Sequence, residues 1–167
     1  IRNVVFLGHS GSGKTTFIET MLFESGVIPR RGSVENHNTI SDFTDLEHER
    51  ENTLYSHLMH VKWHNNKINI IDTPGFDDFI GEVVSSLKVA DTAVILLNAA
   101  SGVEVGTEIV WEYVQNYQTP AFFVINQMDQ PKADFEMIRN HLNGLGEQLG
   151  VKISIQNEEI FDAMHKL

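Results

Sequence analysis

Two rhythms of apolar residues alternate along this chain. Residues 3–7 form a short apolar run ending at Gly8, the pattern of a buried strand. Residues 14–25 place Phe17, Ile18, Met21 and Leu22 at helical spacing, with Gly26 as a stop. Residues 27–50 have no period and are rich in polar side chains, and an irregular segment of that length inside a domain is usually functional. Beyond it, Tyr55, His57, Met59, Val61 and Trp63 alternate with Ser56, Leu58, His60 and Lys62, which predicts a strand with two unlike faces. His64, Asn65 and Asn66 offer a turn into a second strand over 67–72, antiparallel to the first. The pattern then predicts a helix over 81–89, a strand over 92–97, a helix over 105–117 and a strand over 121–125. A helix over 133–149 follows, with Phe135, Ile138, Leu142 and Leu145 on one side. Residues 151–155 are a candidate last strand, and 157–167 are acidic and then helix-like. The run TAVILL over 92–97 is apolar throughout, as expected of a strand covered on both faces. Alternating strands and helices of this kind predict an α/β domain of three layers, αβα, with a mostly parallel sheet and one antiparallel edge strand.

Composition narrows the picture. The chain has 167 residues, 41% of them hydrophobic, which suits one domain with a buried core. It has no cysteine, so disulfides and thiolate metal sites are excluded, and a reducing cytoplasm is the expected location. The opening IRNVVFLG runs straight into a strand pattern, unlike a signal peptide. It has no initiator Met, so earlier residues are expected to precede it. The net charge of −11 makes the segment a poor general binder of nucleic acid, because phosphate neutralisation needs Lys and Arg. No membrane partner is expected, and the isolated domain is expected to be monomeric.

Chemistry enters at Gly8-His9-Ser10-Gly11-Ser12-Gly13-Lys14-Thr15, followed by Thr16. The spacing is that of a phosphate-binding P-loop, set between a strand and a helix as its mechanism requires. Glycines let the backbone wrap a phosphate, successive N–H groups form an anion nest, and the helix start adds its dipole. Lys14 supplies a cation for the β- and γ-phosphates, and the Thr15 hydroxyl is a magnesium ligand. The fold expectation becomes that of a P-loop NTPase.

Asp72-Thr73-Pro74-Gly75 closes the second strand of the hairpin. Asp72 can reach the metal, and Gly75 can bring its N–H to the γ-phosphate. Asn126-Gln127-Met128-Asp129 follows the 121–125 strand. It is similar to the guanine-reading N-K-x-D motif, in which Asp129 would accept hydrogen bonds from guanine N1–H and the amino group. Gln127 departs from that pattern, being shorter than Lys and neutral. Thr53, after the irregular segment, is a candidate third metal ligand that engages only with triphosphate bound, and Thr44 competes for the role. His57, His60 and His64 do not share one face and read as ordinary strand residues. The acidic stretch 42–51 reads as a solvated switch segment, and Met59 and Trp63 as half-buried sheet residues.

These stretches together resemble the G domain of the translational GTPases, specifically elongation factor G, over about residues 3–156. The resemblance is carried by Asp45 to Arg50 with Thr53, by INIIDTPGFDDFIGEVVSSLKVAD, by GVEVGTEIVW and by NQMDQPKADF. GHSGSGKTT and SDFTDLEHE look like a divergent branch. The resemblance implies a GTP/GDP- and magnesium-binding domain over 1–156, with 157–167 either beginning an inserted subdomain or forming a truncated C-terminal segment. It implies a ribosome-bound factor driving tRNA–mRNA translocation, its GTP hydrolysis stimulated by the large subunit. Release factor three and ribosomal-protection or recycling factors share this G domain and form the alternative. No S-A-x guanine-loop motif is present, so the chain is expected to be a first domain. Phe76 stands where the family has a histidine beside the attacking water, and Gly11 where the pattern has Asp. Phenylalanine has no group to orient water, so slow hydrolysis is expected of a site otherwise built from Lys14, Thr53 and Gly75. A nucleotide-gated binding module with little turnover is therefore a further candidate. An ATPase is disfavoured by Asp129.

Overall fold

Alternation along the first strand builds a core on both sides of the sheet. In β1 (Arg2–Leu7) successive side chains point to opposite faces. Phe6 joins Ile18 and Leu22 of α1 (Lys14–Glu24) on one face, with Val61, Ile70, Val94, Leu96 and Val124. Val5 and Leu7 join the other, where α2 (Ile80–Leu87), α3 (Val105–Asn116) and α4 (Phe135–Leu149) supply Val83 and Leu87, Val110, Trp111 and Val114, and Ile138 and Leu142. The computed structural model describes residues 1–41, 44, 47, 49, 53–75 and 80–149.

The remaining strands are β2 (His57–Trp63), β3 (Asn66–Asp72), β4 (Thr92–Asn98) and β5 (Ala121–Asn126). They form one sheet in the order β2-β3-β1-β4-β5, parallel except for β2 against β3. The three-layer α/β expectation and its antiparallel edge strand hold. His64 (φ 40°) and Asn65 (φ 57°) make the tight hairpin turn, both left-handed as the twist of paired strands requires. Along β2, Val61 is buried while Leu58, His60 and Lys62 are exposed, the predicted two-faced alternation.

Element ends shift by a residue or two where caps intervene. The last helix starts at Phe135 rather than 133, because Asp134 accepts the Met137 backbone N–H at 2.9 Å and caps it. The candidate strand 151–155 and the segment 157–167 lie outside the described residues.

Parallel register fixes where chemistry can gather. Phe6 pairs with Asp72, Leu7 with Ile95, and Asn98 with Asn126, so the carboxyl ends of β1, β3, β4 and β5 open on one edge. The chain leaves β1 toward β3 on one side and later returns to β4 on the other. A loop after β1 therefore sits at the switch point of the sheet, where open α/β folds bind ligands.

Candidate functional site

The loop 8–13 is held in its wrapped form by its own backbone. The Ser12 N–H donates to the His9 carbonyl at 3.2 Å, and the Phe17 N–H starts α1 by donating to Gly13 at 2.9 Å. Gly13 sits at φ 86°, and a Cβ there would lie 2.6 Å from Asn126 Nδ2. Any side chain at position 13 would meet both strain and a clash. Lys14 is buried, and its Nζ donates to the carbonyls of Gly8 (2.9 Å) and His9 (3.1 Å), spanning the loop mouth. The His9 Nδ1–H points to the Ser10 carbonyl (2.6 Å) and to Glu104 (3.3 Å), just before α3. Ser12 Oγ is buried with no hydrogen-bond partner among the described residues, as suits a hydroxyl that meets a ligand oxygen. Thr16 is exposed on the outer side of α1.

Three oxygen-bearing side chains converge beside Lys14. Thr15 Oγ1 donates to Asp72 Oδ2 at 3.2 Å and lies 3.2 Å from Thr53 Oγ1. All three residues are buried. Neighbouring ligands around an octahedral magnesium stand roughly 3 Å apart, so the spacing and the all-oxygen chemistry fit that ion. The alternative threonine is otherwise engaged: Thr44 Oγ1 donates to Glu47 Oε2 at 2.7 Å.

The turn after β3 is seated against the phosphate loop. Thr73 Oγ1 donates to the Phe6 carbonyl at 2.7 Å, locking the strand end to β1. A Cβ on Gly75 would come within 2.8–2.9 Å of Ser10 Cβ, Cα and N, so only glycine allows this approach. Phe76 lies outside the described residues. The loop after β5 is tied to the same place by Asn126 Nδ2, which donates to the Ser12 carbonyl at 2.9 Å. Gln127, at φ 62°, sends Nε2 to the Gly11 carbonyl at 3.0 Å. Asp129 is exposed.

The family described as the elongation factor Tu GTP binding domain matches residues 1–162. The chain belongs to this family of translational G domains. Among its relatives is a protein named mitochondrial ribosome-releasing factor 2 of Meyerozyma guilliermondii, 44% identical over 134 residues, covering 80% of this chain and 16% of that relative. A protein of the same name from Drosophila pseudoobscura pseudoobscura is 41% identical over 142 residues, covering 85% and 19%. A crystal structure of a Thermus thermophilus protein superposes with a TM-score of 0.82 at 33% identity, over 90% of this chain and 22% of that one. The chain thus spans under a fifth of the length of these two curated relatives. Their naming as mitochondrial overturns the expected cytoplasmic location. Absence of cysteine does not indicate a compartment.

Two buried carboxylates of the G domain escaped the sequence reading. Glu19, on the inner face of α1, accepts the backbone N–H groups of Gly32 (3.0 Å) and Ile40, closing the loop between them onto the helix that carries Thr15. Glu47 accepts from Thr44, from the Leu54 backbone N–H at 3.1 Å and from His57 Nε2 at 2.8 Å. Within the stretch expected to be a solvated acidic segment, Glu47 is therefore buried and bonded, and His57 is its partner from β2. Local pattern gives no signal for either carboxylate, because a Glu in a polar run or on a helix is exposed by default.

Burial pushes the Glu47 carboxyl up, but the bonds from His57, Thr44 and the Leu54 and Thr44 backbones outweigh it and hold it down at about 2, against an ordinary 4.5. A depressed carboxyl stabilises the fold above its unfolded value, and the effect is lost as pH falls from about 4.5 toward 2. Glu47→Gln should therefore cost about 2 kcal/mol in urea unfolding at pH 7. The gap from the unaltered protein should narrow steadily below pH 4.5, and a gap independent of pH would refute this role.

Proposed function

We propose that this chain is the guanine-nucleotide and magnesium switch of a translation factor that acts on the ribosome, in ribosome release rather than in tRNA–mRNA translocation. The observation that carries the nucleotide reading is the convergence of Thr15, Thr53 and Asp72 within 3.2 Å contacts at the end of a loop that Lys14 spans. The loop N–H groups would receive the β- and γ-phosphates, with Lys14 turning from Gly8 and His9 toward them. Thr15, Thr53 and Asp72 would hold magnesium, which supplies charge neutralisation at the phosphates. Thr53 belongs to the segment that follows Glu47, so its engagement couples the state of the phosphates to that segment. Gly75, pressed on Ser10, would sense the same state from the phosphate loop. Asp129 selects guanine over adenine by offering two acceptors where adenine has no matching donors.

Ribosome release is favoured by the names of the relatives at 41–44% identity. A second reading, a nucleotide-gated binding module with slow turnover, is favoured by Phe76. Titration of the intact protein with labelled GDP, GTP and ATP, with and without magnesium, tests the site: comparable ATP affinity would overturn the guanine reading. Ribosome-splitting and translocation assays side by side test the role. Splitting of post-termination ribosomes without translocation is expected, and the reverse result would return the protein to translocation.

A further inference from the structure

The side chain that replaces lysine in the base loop is held by a residue no motif singles out. Asn98 ends β4, opposite Asn126 of β5. Its Oδ1 accepts the backbone N–H of Ala100 at 2.8 Å and of Ser101 at 3.3 Å. Those bonds occupy the acceptor end of the amide and leave only its donor end facing the base loop. Nδ2 accordingly donates to Gln127 Oε1 at 2.7 Å. With its oxygen engaged, Gln127 has only its amino group for the phosphate loop, and Nε2 donates to the Gly11 carbonyl at 3.0 Å. The order is forced: reversing either amide would set donor against donor or acceptor against acceptor.

We propose that Asn98 is a positioning residue for the guanine-reading loop, and that Asn98 and Gln127 form a matched neutral pair, so that the group tolerated at 127 is decided by the group at 98. This rests on the guanine-nucleotide reading given above. Lysine at 127 carries donors only. It would keep the bond to Gly11 but confront Asn98 Nδ2 with a cation, leaving a part-buried donor without an acceptor. Asn98→Asp keeps one oxygen for Ala100 and Ser101 and turns the other position into an acceptor, which suits lysine and repels Gln127 Oε1. Each single change breaks the relay, and the two together rebuild it with the opposite chemistry.

The test is a double-mutant cycle on fluorescent GDP dissociation from the intact protein, with melting temperature followed in parallel. Gln127→Lys and Asn98→Asp should each speed dissociation about five- to tenfold, the worth of roughly one hydrogen bond. The double variant should return to within about threefold of the unaltered protein, as strongly coupled neighbours do. Additive effects in the double variant, or a Gln127→Lys variant that holds GDP as well as the unaltered protein, would overturn the pairing while leaving the guanine reading intact. So would melting temperatures that fall in step with the dissociation rates across the variants. Failure of the unaltered protein to bind GDP would overturn both.

Discussion

Asp129→Asn in the intact protein is expected to weaken GDP binding about a thousandfold and to redirect preference toward xanthine nucleotides. In the proposed role the Asp129 carboxylate offers two acceptors to the N1–H and amino group of guanine, and hydrogen bonds to a charged group contribute roughly 1.5–3 kcal/mol each. Asparagine turns one acceptor into a donor, which meets the guanine amino group head-on. Xanthine carries a carbonyl in place of that amino group, so the amide's donor and acceptor both find partners. Asp129 is exposed and touches none of the buried clusters, so the melting temperature should not move. Equilibrium titrations with GDP, XDP and ADP check this: undiminished GDP affinity would remove Asp129 from base recognition.

Phe76→His carries the second large effect. Turnover in phosphoryl transfer depends on positioning the attacking water and on charge, and a positioned acid–base group contributes about a hundredfold or more. Position 76 directly follows Gly75, which the structure seats on Ser10 of the phosphate loop. A phenyl ring offers water neither an acceptor nor a donor. Ribosome-stimulated phosphate release should rise about a hundredfold in the variant. GDP affinity should change less than about threefold, because the nest, Lys14 and the base loop are untouched. Rapid hydrolysis by the unaltered protein, or no gain in the variant, would mean that water is positioned by another group.

The two expectations separate holding a nucleotide from consuming it, and the structure bears differently on each. The residues proposed to hold the nucleotide are spread over strand ends that open on one edge of the sheet. They belong to short motifs whose chemistry is written in residue type: glycines that wrap, a lysine, a hydroxyl, a carboxylate after a buried strand. Such motifs can be proposed from sequence because each is local and its strand-loop-helix context is local too. Thr53 against Thr44 could not be decided that way, since one threonine lies near the end of the irregular segment and the other just after it. Only the chain path sets Thr53 beside Thr15, 38 residues away, and Thr44 against Glu47.

Sequence by itself determined which residues form strands and helices, because side-chain period fixes which face is buried. It pointed to a phosphate loop and a guanine-reading motif, because those are patterns of fixed local spacing. It also determined the oddities at Gln127 and Phe76, which are departures visible only against a pattern. Tertiary structure decided what Gln127 and the buried carboxylates face. It buried Glu19 and Glu47, which composition reads as surface charge, by surrounding each with backbone N–H groups that hydrate it in place of water. It gave Asn98 its role, since hydrogen-bond polarity passes from the turn at Ala100 through Gln127 to Gly11 only when β4, β5 and the phosphate loop are side by side. Spacing along the chain records distance in residues. A carboxylate, an amide or a metal ligand responds to distance in ångströms, and only the folded sheet converts one into the other.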